Sequence, residues 1–282
     1  MLKRIKALIM SALVLVCGAS CTKNDSKSEE VTVTDPQLEV TFFDVGKADS
    51  IILCSKNSTV IIDCGEKGDG KEIISFLEEK NISTVDYLIL THYDKDHIGG
   101  AAKVIKSMEI KNILAPDYEE SSEEMEKYQK AVSDKGLTPQ LLTSDMSFEL
   151  DGISYTVNAP DQTDYGENND NDFSLITKVV HGDNIFLFTG DAMEARLEEV
   201  MDIGTCKMLK VPYHGRKLDN LDQFIDKVQP EYAVVCTSQD EFAGSVQKLL
   251  NKKDITYYST CFNGRITALS DGKNIAFTTE KG

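Results

Sequence analysis

Residues 91–100 read Thr-His-Tyr-Asp-Lys-Asp-His-Ile-Gly-Gly and follow directly on the apolar run of residues 86–90, Asp-Tyr-Leu-Ile-Leu. Four candidate ligands, His92, Asp94, Asp96 and His97, fall within this one short stretch. In an extended segment, residues two apart point the same way, so His92 and Asp94 can grip one cation. A bend near Lys95 would bring Asp96 and His97 to a second. Imidazole and carboxylate groups without a thiolate suit zinc, manganese or iron. Gly99 and Gly100 permit close backbone approach at a helix start, where an anion is welcome. The stretch reads as a metal loop carried on the end of a buried strand.

Before this loop the chain shows strands over residues 38–45, 50–54 and 59–63, then a helix from about Gly70. Asp69 is a candidate cap for that helix with Glu72 three residues on, and Ile73 and Leu77 supply its apolar stripe. After the loop come a helix over 101–108, a strand over 111–116, and an acidic segment, 117–136, that reads as an exposed helix with a solvated face. The second half has strands at 148–150 and 153–159 and a polar loop at 160–172. A strand pair, 173–180 and 184–191, then turns at His181 to Asn184. A helix (193–202), a strand (208–212) and the loop Tyr213 to Lys217 follow. A further helix (221–228), strand (232–238) and helix (245–253) precede a hairpin that turns at Asp271-Gly272. Nearly continuous apolar strands mean sheets covered on both faces. Strands clustered with flanking helices in each half favour a four-layer α/β/β/α sandwich over a doubly wound sheet. No Gly-x-Gly-x-x-Gly or Walker sequence follows a strand, which removes the usual support for a nucleotide cofactor.

The pattern H-x-D-x-D-H-x-G-G at residues 92–100 resembles the metal motif of the metallo-β-lactamase superfamily, in the variant with Asp where most members have a second His. That variant is typical of the hydrolase domain of the ComEC DNA-uptake channel and its free-standing relatives. FFDVGKADSIIL (42–53), IIDCG (61–65), NDFSLITK (171–178), LFTGD (187–191) and LKVPYHGR (209–216) are similar to further motifs of that group, in family order. The resemblance covers most of residues 38–216. It implies the αββα fold and two divalent ions, zinc or manganese, held by His92, Asp94, Asp96, His97, Asp191 and His214. Asp191 would bridge the two ions, although Asp191 with Glu194 is also a plain D-x-x-E capping box. Tyr213 stands where the family has another His and is, with Arg216, a candidate substrate contact. The mid-chain His of the first site is missing; Asn171, Asp172 and Ser174 occupy that region, to complete the site directly, through water, or to hold a substrate oxygen. His181 matches no motif and reads as an exposed turn residue.

Three imidazoles with three carboxylates make an oxygen-rich set, in which manganese competes better than in histidine-rich relatives. Two cations about 3.5–4 Å apart acidify a shared water and stabilise both attacking and leaving oxygens. Asp96 is the candidate catalytic group, orienting the resulting hydroxide. Lys207, Lys210, Arg216 and Lys217 form a run of bases without an acid around His214, and Arg216 suits a phosphate oxygen. The expectation is a metal-dependent phosphodiesterase acting on nucleic-acid fragments or small anionic phosphoesters. Two alternatives stand beside it. One is an esterase for cell-envelope phosphodiesters such as phosphocholine on teichoic acids; the other is a non-catalytic surface binding module whose metals only hold its loops.

The chain has 282 residues, with 30 Lys and Arg against 47 Asp and Glu, a net charge of −17. This acidity argues against broad nucleic-acid binding through a basic face and favours short substrates over long duplexes. The composition, 27% charged and 41% apolar, excludes collagen-like and bulk-disordered classes. Residues 1–20 combine Lys3, Arg4 and Lys6 with an apolar stretch from Ala7 to Val16 and small residues before Cys21, the layout of an export signal. A Cys in that place resembles a bacterial lipobox, which implies a lipid on Cys21 and a cell-surface lipoprotein anchored to the cytoplasmic membrane. Residues 21–36 then read as a flexible tether and 37–282 as one hydrolase domain. Cys54, Cys64, Cys206, Cys236 and Cys261 read as small hydrophobes rather than a metal site, with a Cys54–Cys64 bridge allowed by export. No protein partner is inferable.

Overall fold

The computed structural model of the protein describes residues 32–166 and 170–282. The expected signal, Cys21 and the tether up to residue 31 lie outside the described residues. Two sheets face each other, and helices cover both outer faces. The first sheet holds β1 (Leu38–Phe42), β2 (Ser50–Cys54), β3 (Thr59–Cys64), β4 (Thr84–Ile89), β5 (Glu109–Pro116) and β6 (Gln140–Leu142). The chain later returns to it with β14 (Ile266–Ser270) and β15 (Ile275–Thr279), giving the order β15-β14-β1-β2-β3-β4-β5-β6. The second sheet runs β13-β12-β11-β10-β9-β8-β7. Its strands are β7 (Met146–Leu150), β8 (Ile153–Asn158), β9 (Ile176–His181), β10 (Asn184–Phe188), β11 (Met208–Lys210), β12 (Tyr232–Val235) and β13 (Thr256–Ser259).

Strand alternation builds the layers. Ile51, Leu53, Val60 and Ile62 of β2 and β3 turn inward against Phe186, Phe188, Met208 and Val234 of the second sheet. Their neighbours Ile52 and Ile61 turn outward onto α1 (Gly70–Glu79), α3 (Ala101–Ser107) and α4 (Glu123–Asp134). On the opposite face, Leu187 and Leu209 pack with α5 (Glu194–Glu199), α6 (Leu221–Val228) and α7 (Gly244–Lys252). The short α2 (Lys95–Ile98) lies within the loop that follows β4, and α8 (Thr260–Asn263) follows β13. This is the expected four-layer sandwich.

Several local readings need correction. Residues 173–175 are not strand: a 3-10 turn, Asp170–Phe173, precedes β9. Short β6 and β13 went unread because neither carries a long apolar run. The acidic segment forms a helix only from Glu123, capped by the Ser122 hydroxyl, and it buries Met125, Tyr128, Ala131 and Val132 while its acids stay solvated. Asp69 does not cap α1; its carboxylate instead accepts from the Glu66 N–H at 2.7 Å. Cys54 and Cys64 are free thiols. His181 is buried, its Nδ1 2.8 Å from the Ser270 hydroxyl, because the β9–β10 turn packs under the closing hairpin rather than into solvent.

Candidate metal centre

The strands β4, β10 and β11 deliver their C-terminal ends to one rim of the sandwich, together with the β1–β2 loop. At β4 the chain passes through Thr91 into the loop bearing His92, Asp94, Asp96 and His97. At β10 it turns through Thr189 and Gly190 into Asp191. At β11 it runs through Pro212 to His214. Asp96, His97 and His214 bring ligand atoms within 4.8 Å of one another, and so do His92, His97 and Asp191. His214 Nε2 is 2.9 Å from Asp191 Oδ2 and 3.7 Å from Asp96 Oδ2; His97 Nε2 is 3.5 Å from Asp191 Oδ1. Asp94, half-exposed at the rim, reaches His92 Nε2 at 3.7 Å. The six sequence-derived ligand candidates therefore gather at this rim, five of them in the buried groups and Asp94 beside His92.

The orientation of the three imidazoles makes the pocket more specific than proximity does. His97 Nδ1 meets Asp63 Oδ2 at 2.8 Å, His214 Nδ1 donates to the Cys236 carbonyl at 3.0 Å, and His92 Nδ1 meets the Thr91 hydroxyl at 3.1 Å. Thr91 Oγ1 donates onward to Asp63 Oδ2 at 2.6 Å. Each ring thus has its Nδ1 engaged behind the pocket, which leaves Nε2 as the lone-pair nitrogen facing in. Among the described residues, His92 Nε2, His97 Nε2, His214 Nε2 and Asp191 Oδ1 are buried without a hydrogen-bond partner. Buried polar atoms are ordinarily paired, so four orphans pointing at one space fit a cation as the missing partner. Oxygen and imidazole donors suit a divalent ion.

The electrostatics agree. Burial alone would lower the pKa of His97, but Asp191 and Asp63 outweigh it and hold the ring well above its ordinary value. For His214, Asp191 and Asp96 outweigh burial in the same way and raise it to about 9. Asp191 and Asp96 lie below the carboxylate range, because the facing imidazoles more than offset their burial. The carboxylates thus favour positive charge at the imidazoles, and a bound divalent ion would compete with protons for the same nitrogens.

Backbone strain sets the geometry. Tyr213, His214 and Gly215 have φ of 50°, 52° and 72°, three successive left-handed residues. Only this coil turns His214 back toward Asp191, and a Cβ on Gly215 would meet Val235 Cγ1 at 2.7 Å. Asp63 is also left-handed, with φ 58°, which breaks the strand alternation and aims its carboxylate at Thr91 and His97. Non-glycine residues in this region cost about 1–3 kcal/mol each and gather at functional sites.

The model of the Metallo-beta-lactamase superfamily matches residues 43–239. The chain belongs to that superfamily. ComE operon protein 3 of Bacillus subtilis is 28% identical over 254 residues, covering 81% of this chain but 32% of its own length. Recombination protein 2 of Haemophilus influenzae is 24% identical, covering 73% of this chain and 25% of its own. The chain thus spans about a third or less of these relatives. Among solved structures, the metallo-β-lactamase fold protein YhfI of Bacillus subtilis superposes with a TM-score of 0.55 at 10% identity, covering 79% of this chain and 95% of its own. Igni18, a metallo hydrolase of Ignicoccus hospitalis, gives 0.51 at 14% identity, covering 86% and 99%. These likenesses establish the fold. The superfamily is typically one of metal-dependent hydrolases.

The residues expected to meet substrate fare unevenly. Ser174 is fully buried and accepts the Asp191 N–H at 3.1 Å, so it braces the residue that carries a candidate ligand. Asp172 accepts the N–H groups of Met193 and Arg196, at 2.8 and 3.1 Å, and thereby caps α5. The capping role weighed for Asp191 belongs to Asp172. Asn171 leaves its Oδ1 buried and unpartnered beside Met193. Tyr213 and Arg216 stay at the rim, the guanidinium 4.8 Å above the Tyr213 ring. The basic run is not a free positive patch. Lys210 is buried, Arg216 pairs with Glu241 at 2.6 Å, Lys217 pairs with Asp219 at 2.9 Å, and Lys207 donates to Asn184 Oδ1 at 2.9 Å. The quoted motifs contain Lys47, Asp49 and Asp63 without assigning them a role, and Lys210 stands in the basic run although its side chain is buried. The signal available was a charge embedded in, or next to, an otherwise apolar strand.

Proposed function

We propose that the protein is a metal-dependent phosphoester hydrolase that acts on short nucleic-acid fragments or small anionic phosphodiesters. The observation that supports this most is the convergence of three unpartnered Nε2 atoms and the Asp191 and Asp96 carboxylates on one rim pocket. Bound divalent ions would supply an acidic water and positive charge for the developing oxyanion. His92, Asp94 and Asp191 would hold one ion and Asp96, His97, His214 and Asp191 the other. Asp96 would also orient the attacking water by accepting a hydrogen bond from it. Lys47, 3.2 Å from Asp96 and one-third exposed, is placed to meet a phosphate oxygen at the mouth, with Arg216 further out. The likeness to a recombination protein favours DNA as the source of the phosphodiester, while the consumed basic run and the net acidity favour short strands. The same reading includes export and a lipid on Cys21, tested by loss of labelled-palmitate incorporation in Cys21→Ser.

The test is turnover of bis-nitrophenyl phosphate, single-stranded DNA and nitrophenyl phosphocholine, each with manganese and with zinc. Activity on the first two that Asp96→Ala abolishes supports the proposal. Preference for the phosphocholine ester points to the cell-envelope reading. Stoichiometric metal with no turnover of any substrate would falsify the enzyme and leave a binding module.

A further inference from the structure

The metal pocket is assembled from two sheets, and one buried charge lies behind their junction. Lys210 ends β11 with its side chain fully buried. It points between the sheets, as Met208 does two residues earlier. Its ammonium contacts Asp49 of the β1–β2 loop, donates to the Gly190 carbonyl at 2.7 Å, and lies 3.6 Å from Asp191 Oδ1. The Lys210 carbonyl accepts from the Thr189 hydroxyl at 2.7 Å. Lys210 therefore grips the Thr189-Gly190-Asp191 turn at both its main chain and its side chain. A buried ion pair is often no more stabilising than well-packed apolar residues of similar volume, so stability alone does not explain the Lys210–Asp49 pair.

We propose that Lys210 is a positioning residue that fixes the bridging carboxylate of Asp191. The two oxygens of Asp191 have different neighbours. Oδ2 faces His214, whereas Oδ1 faces His97 and the Lys210 ammonium and has no hydrogen-bond partner. Lys210 fixes the rotation that keeps Oδ1 toward the His92 side of the pocket. Asp49 serves in turn as the counter-ion of Lys210 through Oδ2, while its Oδ1 lies 3.6 Å from His214 Nδ1, buried without a hydrogen-bond partner among the described residues. An ion held through His92 would depend on Oδ1, while one held by Asp96, His97 and His214 would keep three ligands without it. The inference rests on the two-ion reading of the pocket.

The test is calorimetric titration of the metal-free full chain with manganese, free of any activity readout. Lys210→Met alone strands Asp49 and is expected to lose much of its stability. The double variant Lys210→Met/Asp49→Leu removes both partners and is expected to regain it. In that variant one ion should bind as in the wild type, while the other weakens roughly 10- to 100-fold. Two ions bound with wild-type affinity, or both weakened equally, would overturn the assignment. Asp49→Asn, close to isosteric, is the second arm and should keep both ions, since the ammonium retains Gly190 and Asp191. Loss of one ion there would move the role to Asp49 and overturn the proposal equally. A wild-type chain that takes fewer than two ions overturns the two-ion reading and this inference with it, and is recognised before any variant is made.

Discussion

A single carboxylate, Asp63, shows how much of the pocket depends on residues that never face it. It is buried in a left-handed backbone and accepts from the Thr91 N–H at 2.8 Å and the Thr91 hydroxyl, while meeting His97 Nδ1. Asp63→Asn keeps the shape but weakens the hold on the His97 tautomer. Metal affinity is expected to fall about 10- to 100-fold with little change in secondary structure, as measured by competition with a chromophoric chelator. Titration gives a second expectation. Asp191 and Asp96 outweigh burial at His214 and raise its pKa to about 9 from 6.5, so its contribution to stability is complete below 6.5. That contribution is lost as the pH climbs through about 9. Asp94 and Asp96 are shifted down, so theirs is present at neutral pH and disappears on acidification. The melting temperature of the metal-free protein should fall from pH 6 to 9. Metal affinity should rise over the same interval, because the ions displace protons. At this scale the sequence disclosed candidates for what faces the pocket, since His and Asp at the end of an apolar strand stand out. It concealed what lies behind, because Asp63 and Lys210 matter through contacts with residues far along the chain.

Among the elements, the long strands and the helices α1, α3, α6 and α7 were legible because their apolar residues keep one period throughout. The failures fall where tertiary contacts decide. The 3-10 turn at Asp170–Phe173 interrupts a run with strand-like composition, because Asp172 is drawn to the start of α5. The metal loop and α3 also depend on closeness that composition only hints at. A Cβ on Gly100 would lie 2.2 Å from the Cys64 carbonyl oxygen and 2.9 Å from the Gly70 nitrogen, both backbone atoms with little freedom to move. Gly100→Ala is expected to destabilise the fold by about 1–3 kcal/mol or more and to disturb the loop that carries Asp96 and His97. Chemical denaturation gives the first effect and metal titration the second. A midpoint unchanged from the wild type would mean that the loop yields more readily than this packing allows.

On the scale of the whole molecule, the charge distribution decides what can approach. The rim offers Lys47 and a salt-bridged Arg216, within a chain that carries 47 acids. Long duplex DNA should therefore be a poorer substrate than oligonucleotides at equal phosphate concentration. Rates on the two should converge as salt is raised, since repulsion from the surrounding acids is screened within about 8 Å at physiological strength. The oxygen-rich ligand set bears on the choice of ion. Protein reconstituted with manganese should turn over phosphodiesters faster than protein with zinc, and tight stoichiometric zinc with full activity would sink that expectation.

The first sheet has one more property that follows from its strand order. β1 lies between β2 and β14, pairing Leu38 with Ser270 and Phe42 with Ile266, although more than two hundred residues separate them. A nascent chain halted before residue 266 would thus leave β1 with a bare, sticky edge beside the loop that holds Asp49. Closure of the first sheet waits on these late strands, so a chain truncated before residue 266 is expected to associate through the open β1 edge far more readily than the whole one.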